Sequence, residues 1–267
     1  MSRAQDVVDL SVILITRDES RHVLACLQSV AFADEWIVVD SGSTDDTREI
    51  AAGFGATVVR TDDWPGFGAQ KNRALDLARG RWVLSIDADE RVTPELAAEI
   101  ERAVAAGGAQ GGPAGFELSR LSSFCGQWMR HGDWYPDRVL RLFRREAGRF
   151  SDDRVHERVI VRGTVARLQG HLMHRTMESL DDALAKSNRY TTGRAEDLLR
   201  SGRRTGVGRA IGHAAWAFVR GYLFKRGFLD GRLGLVLALY VAEATYYRHL
   251  KLWLLARAAS GAKMDSI

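Results

Sequence analysis

The chain has 267 residues, a formal net charge of +4, 46% hydrophobic and 27% charged side chains, enough for a full buried core, so wholesale disorder is excluded. Its two cysteines, Cys26 and Cys125, have no metal-ligand spacing and read as buried or inert thiols of a reducing compartment. The charge is uneven: residues 1–200 carry 27 basic and 31 acidic side chains and residues 201–267 carry 11 and 3, so a basic tail suited to an anionic partner follows a slightly acidic body.

The N-terminal stretch lacks a signal-peptide pattern, and its apolar run predicts a first strand at Leu10–Thr16. Val23, Leu24, Leu27 and Val30 recur at helical spacing within Asp18–Val30, and EWIVV (Glu35–Val39) is a second strand ending at Asp40. SGSTDDT offers Ser43 or Thr44 as N-cap of a helix that runs through Ile50 and stops at Gly53 or Gly55. Ala56–Arg60 reads as a third strand, Trp64–Gly68 as turn chemistry, Ala69–Ala78 as a helix and Arg81–Ile86 as a fourth strand. Pro94, after Thr93, opens a helix reaching about Ala106. This alternation predicts an α/β fold with a doubly wound, mostly parallel sheet.

A glycine-rich break, Gly107–Gly115, precedes shorter β-like pieces at Phe116–Leu121, Val139–Arg144, Val155–Val161 and Thr164–Leu168. Helices are expected over Leu180–Leu199 and Leu233–Ala258. No stretch reaches the ~18–20 apolar residues of a membrane span. The expected division is a catalytic domain at 1–175, with a donor half at about 10–106 and an acceptor half at about 115–175, and a helical extension at 176–267.

The chemistry concentrates in RWVLSIDADE, residues 81–90, where an apolar strand ends in Asp87, Asp89 and Glu90. Carboxylates crowded at a strand's carboxyl end repel one another unless a cation sits among them, and ligands of open α/β sheets bind at that edge. Asp40 ends the second strand on the same edge, placed either to accept hydrogen bonds from a ribose or base or simply to start the next helix with an Asx-turn.

SVILITRDES, VVDSGSTDDT, AQKNRAL and SIDADE, in this order, resemble the inverting glycosyltransferase family 2, with its GT-A (Rossmann-like) nucleotide-sugar-binding fold. DWYPDRVLRLFRR and FSDDRVHERV, with His174, Lys186 and Tyr190 downstream, are similar to the subgroup that includes the lipopolysaccharide core β-1,4-glucosyltransferases. The resemblance implies that Thr16 and Glu19 contact the nucleotide, although this chain has Arg17-Asp18-Glu19 where the family often has Asn-Glu. It further implies that Asp40 binds the uracil or ribose and that Lys71 lies near the base and diphosphate. Asp87 and Asp89 would form the DxD pair for Mg²⁺ or Mn²⁺, with Asp89 on the metal and Asp87 nearer the ribose; His156 is a further candidate for metal or diphosphate. A dehalogenase reading of DAD fits poorly, since that chemistry needs the motif on the first strand.

Inversion needs one carboxylate to deprotonate the acceptor hydroxyl. The resemblance points to Glu157, with Asp152 and Asp153 as alternatives; Glu157 could instead pair with Arg154 or Arg158. Arg138, Arg141, Arg144 and Arg145 either grip phosphate or line a solvated strand edge. The tail mixes Arg209, Arg220, Lys225 and Arg226 with Trp216, Phe218, Tyr222, Phe224 and Phe228 and reads as an amphipathic, membrane-associating extension rather than a nucleic-acid or purely structural one.

The expected activity is therefore transfer of a hexose from a nucleotide-diphosphate sugar, a UDP-sugar favoured, to a lipid-linked glycan such as the lipopolysaccharide inner core. The expected location is cytoplasmic, on the inner face of a bacterial inner membrane. The alternatives are transfer to a polyprenyl phosphate, which true membrane spans would favour, and a catalytically silent nucleotide-binding membrane adaptor, which the intact acidic cluster argues against.

Overall fold

A computed structural model describes residues 8–107, 112–151 and 157–259. In chain order these form β1 (Leu10–Thr16), α1 (Val23–Ser29), β2 (Glu35–Asp40), α2 (Thr47–Phe54), β3 (Thr57–Arg60), α3 (Phe67–Leu77), β4 (Trp82–Ser85), β5 (Glu90–Val92) and α4 (Pro94–Ala106). They continue as β6 (Gly115–Phe124), β7 (Gln127–Trp128), β8 (Asp137–Arg144), β9 (Gly148–Phe150), β10 (Val159–Val161), β11 (Val165–Met177), α5 (Leu180–Arg200), α6 (Val207–Val219) and α7 (Gly231–Ala259). A π-helical turn, Arg220–Phe224, and a 3-10 turn, Gly227–Asp230, lie between α6 and α7.

The main sheet has the order β3-β2-β1-β4-β8-β6-β11-β5, with β7 against β6, while β9 and β10 form a separate ribbon. The strands β3, β2, β1 and β4 pair in parallel, joined by strand–helix crossovers. Beyond β4 the pairing turns antiparallel, β8 on β4 and β6 on β8. The chain divides into two compact units: residues 1–120 with 137–174, and residues 121–136 with 175–267.

In the first unit the alternation along β1 sorts its side chains between the two faces of the sheet. Leu10, Val12 and Leu14 join Val23, Cys26 and Leu27 of α1, Ala51 of α2 and Leu96, Ile100 and Val104 of α4. Ile13 faces the other way, with Ile37, Val39, Val83, Phe143 and Phe150 against Ala74 and Leu75 of α3. Helices thus cover both faces, as the doubly wound expectation requires. Each fully buried aliphatic side chain in these layers contributes about 1.5–3 kcal/mol.

Several boundaries differ from the sequence expectation for local reasons. The first helix starts at Val23 rather than Asp18, because Asp18 adopts a left-handed conformation (φ 55°) and its carboxylate accepts from the Thr44 backbone N–H at 2.7 Å. The second starts at Thr47, because Ser43 and Thr44 turn their hydroxyls to Asp40 and Asp18 instead of capping. The last β-like piece, expected to end at Leu168, extends to Met177, and β5 is an additional short strand that pairs antiparallel with it.

In the second unit Phe124, Met129, Met177, Ala183 and Leu237 form a compact core with Trp134 and Tyr240 packed against it. The aromatic stretch after Gly206 folds as α6, and the expected long C-terminal helix is α7. Among the described residues, no helix is long and apolar enough to cross a membrane. Ile211, Trp216, Leu223, Phe224, Phe228, Leu229 and Leu239 remain exposed on this unit.

Candidate active site

The carboxyl ends of β1, β2 and β4 build one edge of the first unit. Asp40 is fully buried there: its Oδ1 accepts from the backbone N–H groups of Gly42 (3.1 Å) and Ser43 (2.8 Å), and its Oδ2 from Thr16 Oγ1 (2.9 Å) and from the Ser43 hydroxyl. Asp40 thus makes an Asx-turn and ties the β1 and β2 loops together. Glu19 joins the same lacework, its backbone N–H donating to Thr47 Oγ1 at 2.8 Å.

Helix α3 carries AQKNRAL and spends each polar side chain on a different neighbour. Gln70 donates to Ser41 Oγ and Thr61 Oγ1, and Asn72 exchanges two 3.0 Å hydrogen bonds with the backbone of Phe150. Lys71 is buried beside the Phe150 ring, and its Nζ contacts Asp87 Oδ1 at 3.0 Å and Glu157 Oε1 at 2.9 Å. One ammonium thus bridges the expected donor carboxylate and the expected base, residues 86 positions apart in sequence from Lys71 to Glu157. This approach needs Gly68, since a Cβ there would meet the Ser151 carbonyl oxygen at 2.0 Å.

The other oxygen of Asp87 takes Arg141 Nη2 at 2.5 Å, and the same nitrogen reaches Glu90 Oε1 at 2.7 Å. Burial opposes the charge of Asp87, but the positive charges of Arg141 and Lys71 outweigh it and hold its carboxyl well below the usual carboxylate range. Arg141 is likewise held above its ordinary value by Asp87 and Glu90 against the cost of burial. Glu90 is fully buried, and its Oε2 accepts the Asp87 backbone N–H at 2.9 Å, which fixes the turn after β4. Beneath that turn the Cys26 thiol donates to the Asp87 carbonyl, and burial pushes this thiol well above its ordinary value, matching the inert-thiol expectation.

Asp89 meets β11. The β5–β11 register places His174 opposite Glu90, and His174 Nε2 lies 3.3 Å from Asp89 Oδ2. A carboxylate oxygen and an imidazole nitrogen at this separation are donors that could share one divalent cation. Both oxygens of Asp87, by contrast, are already ion-paired. Among the described residues, no group of three or more His, Cys, Asp or Glu stands at metal-binding spacing. Asp152, Asp153 and His156 lie outside the described residues.

Thr16 and Glu19 border a cleft of about 280 Å³, together with Ile15, Arg17, Trp64 and Phe67. The two aromatic rings meet edge-to-face at 4.9 Å and are half-exposed. Sequence reasoning gave these two only a turn; two aromatics flanking Pro65-Gly66 just after a strand were the available signal. Of the four arginines on β8 and just past it, Arg141 alone enters the acidic cluster. Arg138 donates to Ser119 Oγ and is exposed, while Arg144 and Arg145 lie at the other end of the strand.

The sequence model of Glycosyl transferase family 2 matches residues 11–146. An uncharacterized glycosyltransferase of Rickettsia prowazekii is 30% identical, over 91% of this chain and 86% of that one. The lipopolysaccharide core biosynthesis glycosyltransferase LpsC of Rhizobium meliloti is 29% identical, over 90% of this chain and 93% of that one. Among solved structures, TarS of S. aureus in complex with UDP-GlcNAc aligns over 97% of this chain and 94% of its own at 16% identity (TM-score 0.47). Glucosyl-3-phosphoglycerate synthase of Mycobacterium tuberculosis, in complex with Mn²⁺, UDP and glucosyl-3-phosphoglycerate, aligns over 74% and 82% at 20% identity (TM-score 0.43). With a family match over half its length and full-length relatives at this identity, the chain belongs to glycosyl transferase family 2 and is a glycosyltransferase.

Proposed function

We propose that the protein is an inverting hexosyltransferase that moves a sugar from a nucleotide diphosphate, UDP favoured, to a lipid-linked glycan, the lipopolysaccharide inner core being the acceptor class. The observation that carries this reading is the Asp87–Lys71–Glu157 chain, which joins the acidic strand end to a half-buried carboxylate on the acceptor side. The likeness to LpsC over nearly the whole chain supports the acceptor class.

In this reading Trp64, Phe67, Thr16 and Glu19 border the nucleotide, and Asp87 faces the ribose with its geometry fixed by Arg141 and Lys71. Glu157 takes the proton of the acceptor hydroxyl as that oxygen attacks the anomeric carbon and the nucleoside diphosphate departs from the opposite side. Lys71 holds Glu157 in place for that step. Asp89 and His174 would hold a Mg²⁺ or Mn²⁺ ion, which when bound neutralises charge on the departing diphosphate. The exposed Trp216, Leu223 and Phe224, with Lys225 and Arg226 in the same stretch, support docking of the second unit on an anionic membrane face, cytoplasmic in this reading.

A thermal-shift screen of nucleotide sugars, followed by release of nucleoside diphosphate in the presence of delipidated and intact core acceptors, tests the proposal. Stabilisation by a UDP-sugar and acceptor-dependent release of UDP are expected. Nucleotide binding without turnover on any donor would leave a silent adaptor instead.

A further inference from the structure

The donor edge uses one end of β4, and a second depression opens at the other. It has a volume of about 460 Å³ and is lined by Arg81, Trp82, Arg144, Arg145, Glu146 and Arg162 among others. β4 runs from Trp82 toward Asp87, so five residues of extended chain, about 16 Å, separate the two places. Antiparallel pairing sets Arg144 opposite Trp82, which brings the far end of β8 into the same depression.

Three of the four guanidinium groups, those of Arg144, Arg145 and Arg162, are held by backbone carbonyls rather than by a close ion pair. Arg145 Nε donates to the Gly80 carbonyl and Arg144 Nε to the Pro113 carbonyl, both at 3.2 Å, and Arg162 Nη2 donates to the Glu146 carbonyl at 3.0 Å. The Arg144 guanidinium also lies 5.1 Å above the Trp82 ring. Among the described residues, Arg144 and Arg162 make no ion pair; Arg81 pairs with Asp9, and Glu146 reaches Arg145 only at 4.0 Å while nine-tenths exposed. The three that lack a close ion pair repel one another, and backbone carbonyls carry only partial charge to offset this. Their anchored Nε and Nη groups orient the remaining fork nitrogens without the entropy cost of free surface side chains.

We propose that this depression is a second anion site, separate from the donor edge, that binds a phosphate ester or diphosphate. The fork of arginine matches phosphate oxygens, and the volume lies in the range that accommodates a small organic phosphate rather than an inorganic ion alone. It is independent of the transferase reading, since none of its lining residues belongs to the donor edge.

Isothermal titration of the full-length protein with inorganic pyrophosphate, with excess UDP present to occupy the donor edge and no metal added, tests the site. Saturable binding is expected, weakened at least about tenfold in the Arg144→Gln/Arg162→Gln double variant. Arg162→Gln alone, at an exposed position, should weaken it in the same direction with an unchanged unfolding temperature. Competition identifies the source of the anion: vesicles of phosphatidylcholine with phosphatidic acid that displace pyrophosphate assign a lipid headgroup, and glucose 1-phosphate as the sole competitor assigns a soluble ester. Absence of saturable binding up to millimolar pyrophosphate, or equal binding by wild type and both variants, overturns the proposal.

Discussion

At the scale of single residues, the proposed function gives Asp87 and Glu157 separate duties, with the Lys71 ammonium in contact with both. Asp87 is committed to cations on both oxygens, whereas Glu157 keeps Oε2 free of any hydrogen bond or ion pair found among the described residues. Glu157→Gln retains size and hydrogen-bonding capacity but cannot accept the hydroxyl proton. Turnover should fall by about 10²–10⁴-fold, with donor affinity changed little, as read from kcat against the dissociation constant of the donor. Asp87 also makes a claim about acid. Its folded carboxyl titrates below the unfolded value, so its contribution to stability is complete above about pH 4 and is lost as pH falls below that. Asp87→Asn should therefore flatten the acid limb of stability measured by urea unfolding between pH 6 and 2.

At the scale of elements, the site depends on two strand-level placements. The first is the β9 end resting on the N-terminal turn of α3, possible because residue 68 is glycine. Gly68→Ala should cost about 1–3 kcal/mol in urea unfolding and lower turnover by displacing the chain that carries Glu157. The second is the β5–β11 pairing that brings His174 to Asp89. His174→Ala and Asp89→Ala should each weaken Mn²⁺ binding, followed by electron paramagnetic resonance with UDP present; unchanged binding in both variants removes this pair from the metal site. The parallel half of the sheet could be read in advance, because apolar strands and 3.6-residue periodicity alternate there with glycine and proline punctuation. The antiparallel half could not be read in the same way. Glu90–Val92 is too short to show a period, and the pairing of His174 with Glu90 joins residues far apart in sequence, which local pattern cannot specify. Arg141 was one of four similar arginines until the β8 register sent it, and not Arg138, into the acidic cluster.

At the scale of the whole molecule, the first unit carries the described donor edge and the second carries the exposed apolar and basic residues of α6 and the turns after it. Removal of the chain after about residue 204 should shift the protein from the membrane to the soluble fraction on flotation with anionic vesicles. Continued flotation of the truncated protein would mean that lipid binding resides in the first unit. The uneven charge of the sequence pointed to this tail, but the division of exposed and buried aromatics within it was not legible. Trp216 and Tyr240 both belong to this tail, yet the first is exposed and the second packs against the core with Phe124 and Trp134.

The bridge made by Lys71 sets a rule for exchanging parts. Under the proposed function, the chain beyond β9 is the natural place to graft a new acceptor preference, since it carries Glu157 while the donor would be held at the carboxyl ends of β1, β2 and β4. Any transplanted segment must return a carboxylate to within reach of the same ammonium and leave residue 68 without a side chain. A graft that meets only one of these conditions would leave Lys71 leaning on Asp87 alone, and the hybrid would bind its nucleotide without transferring the sugar.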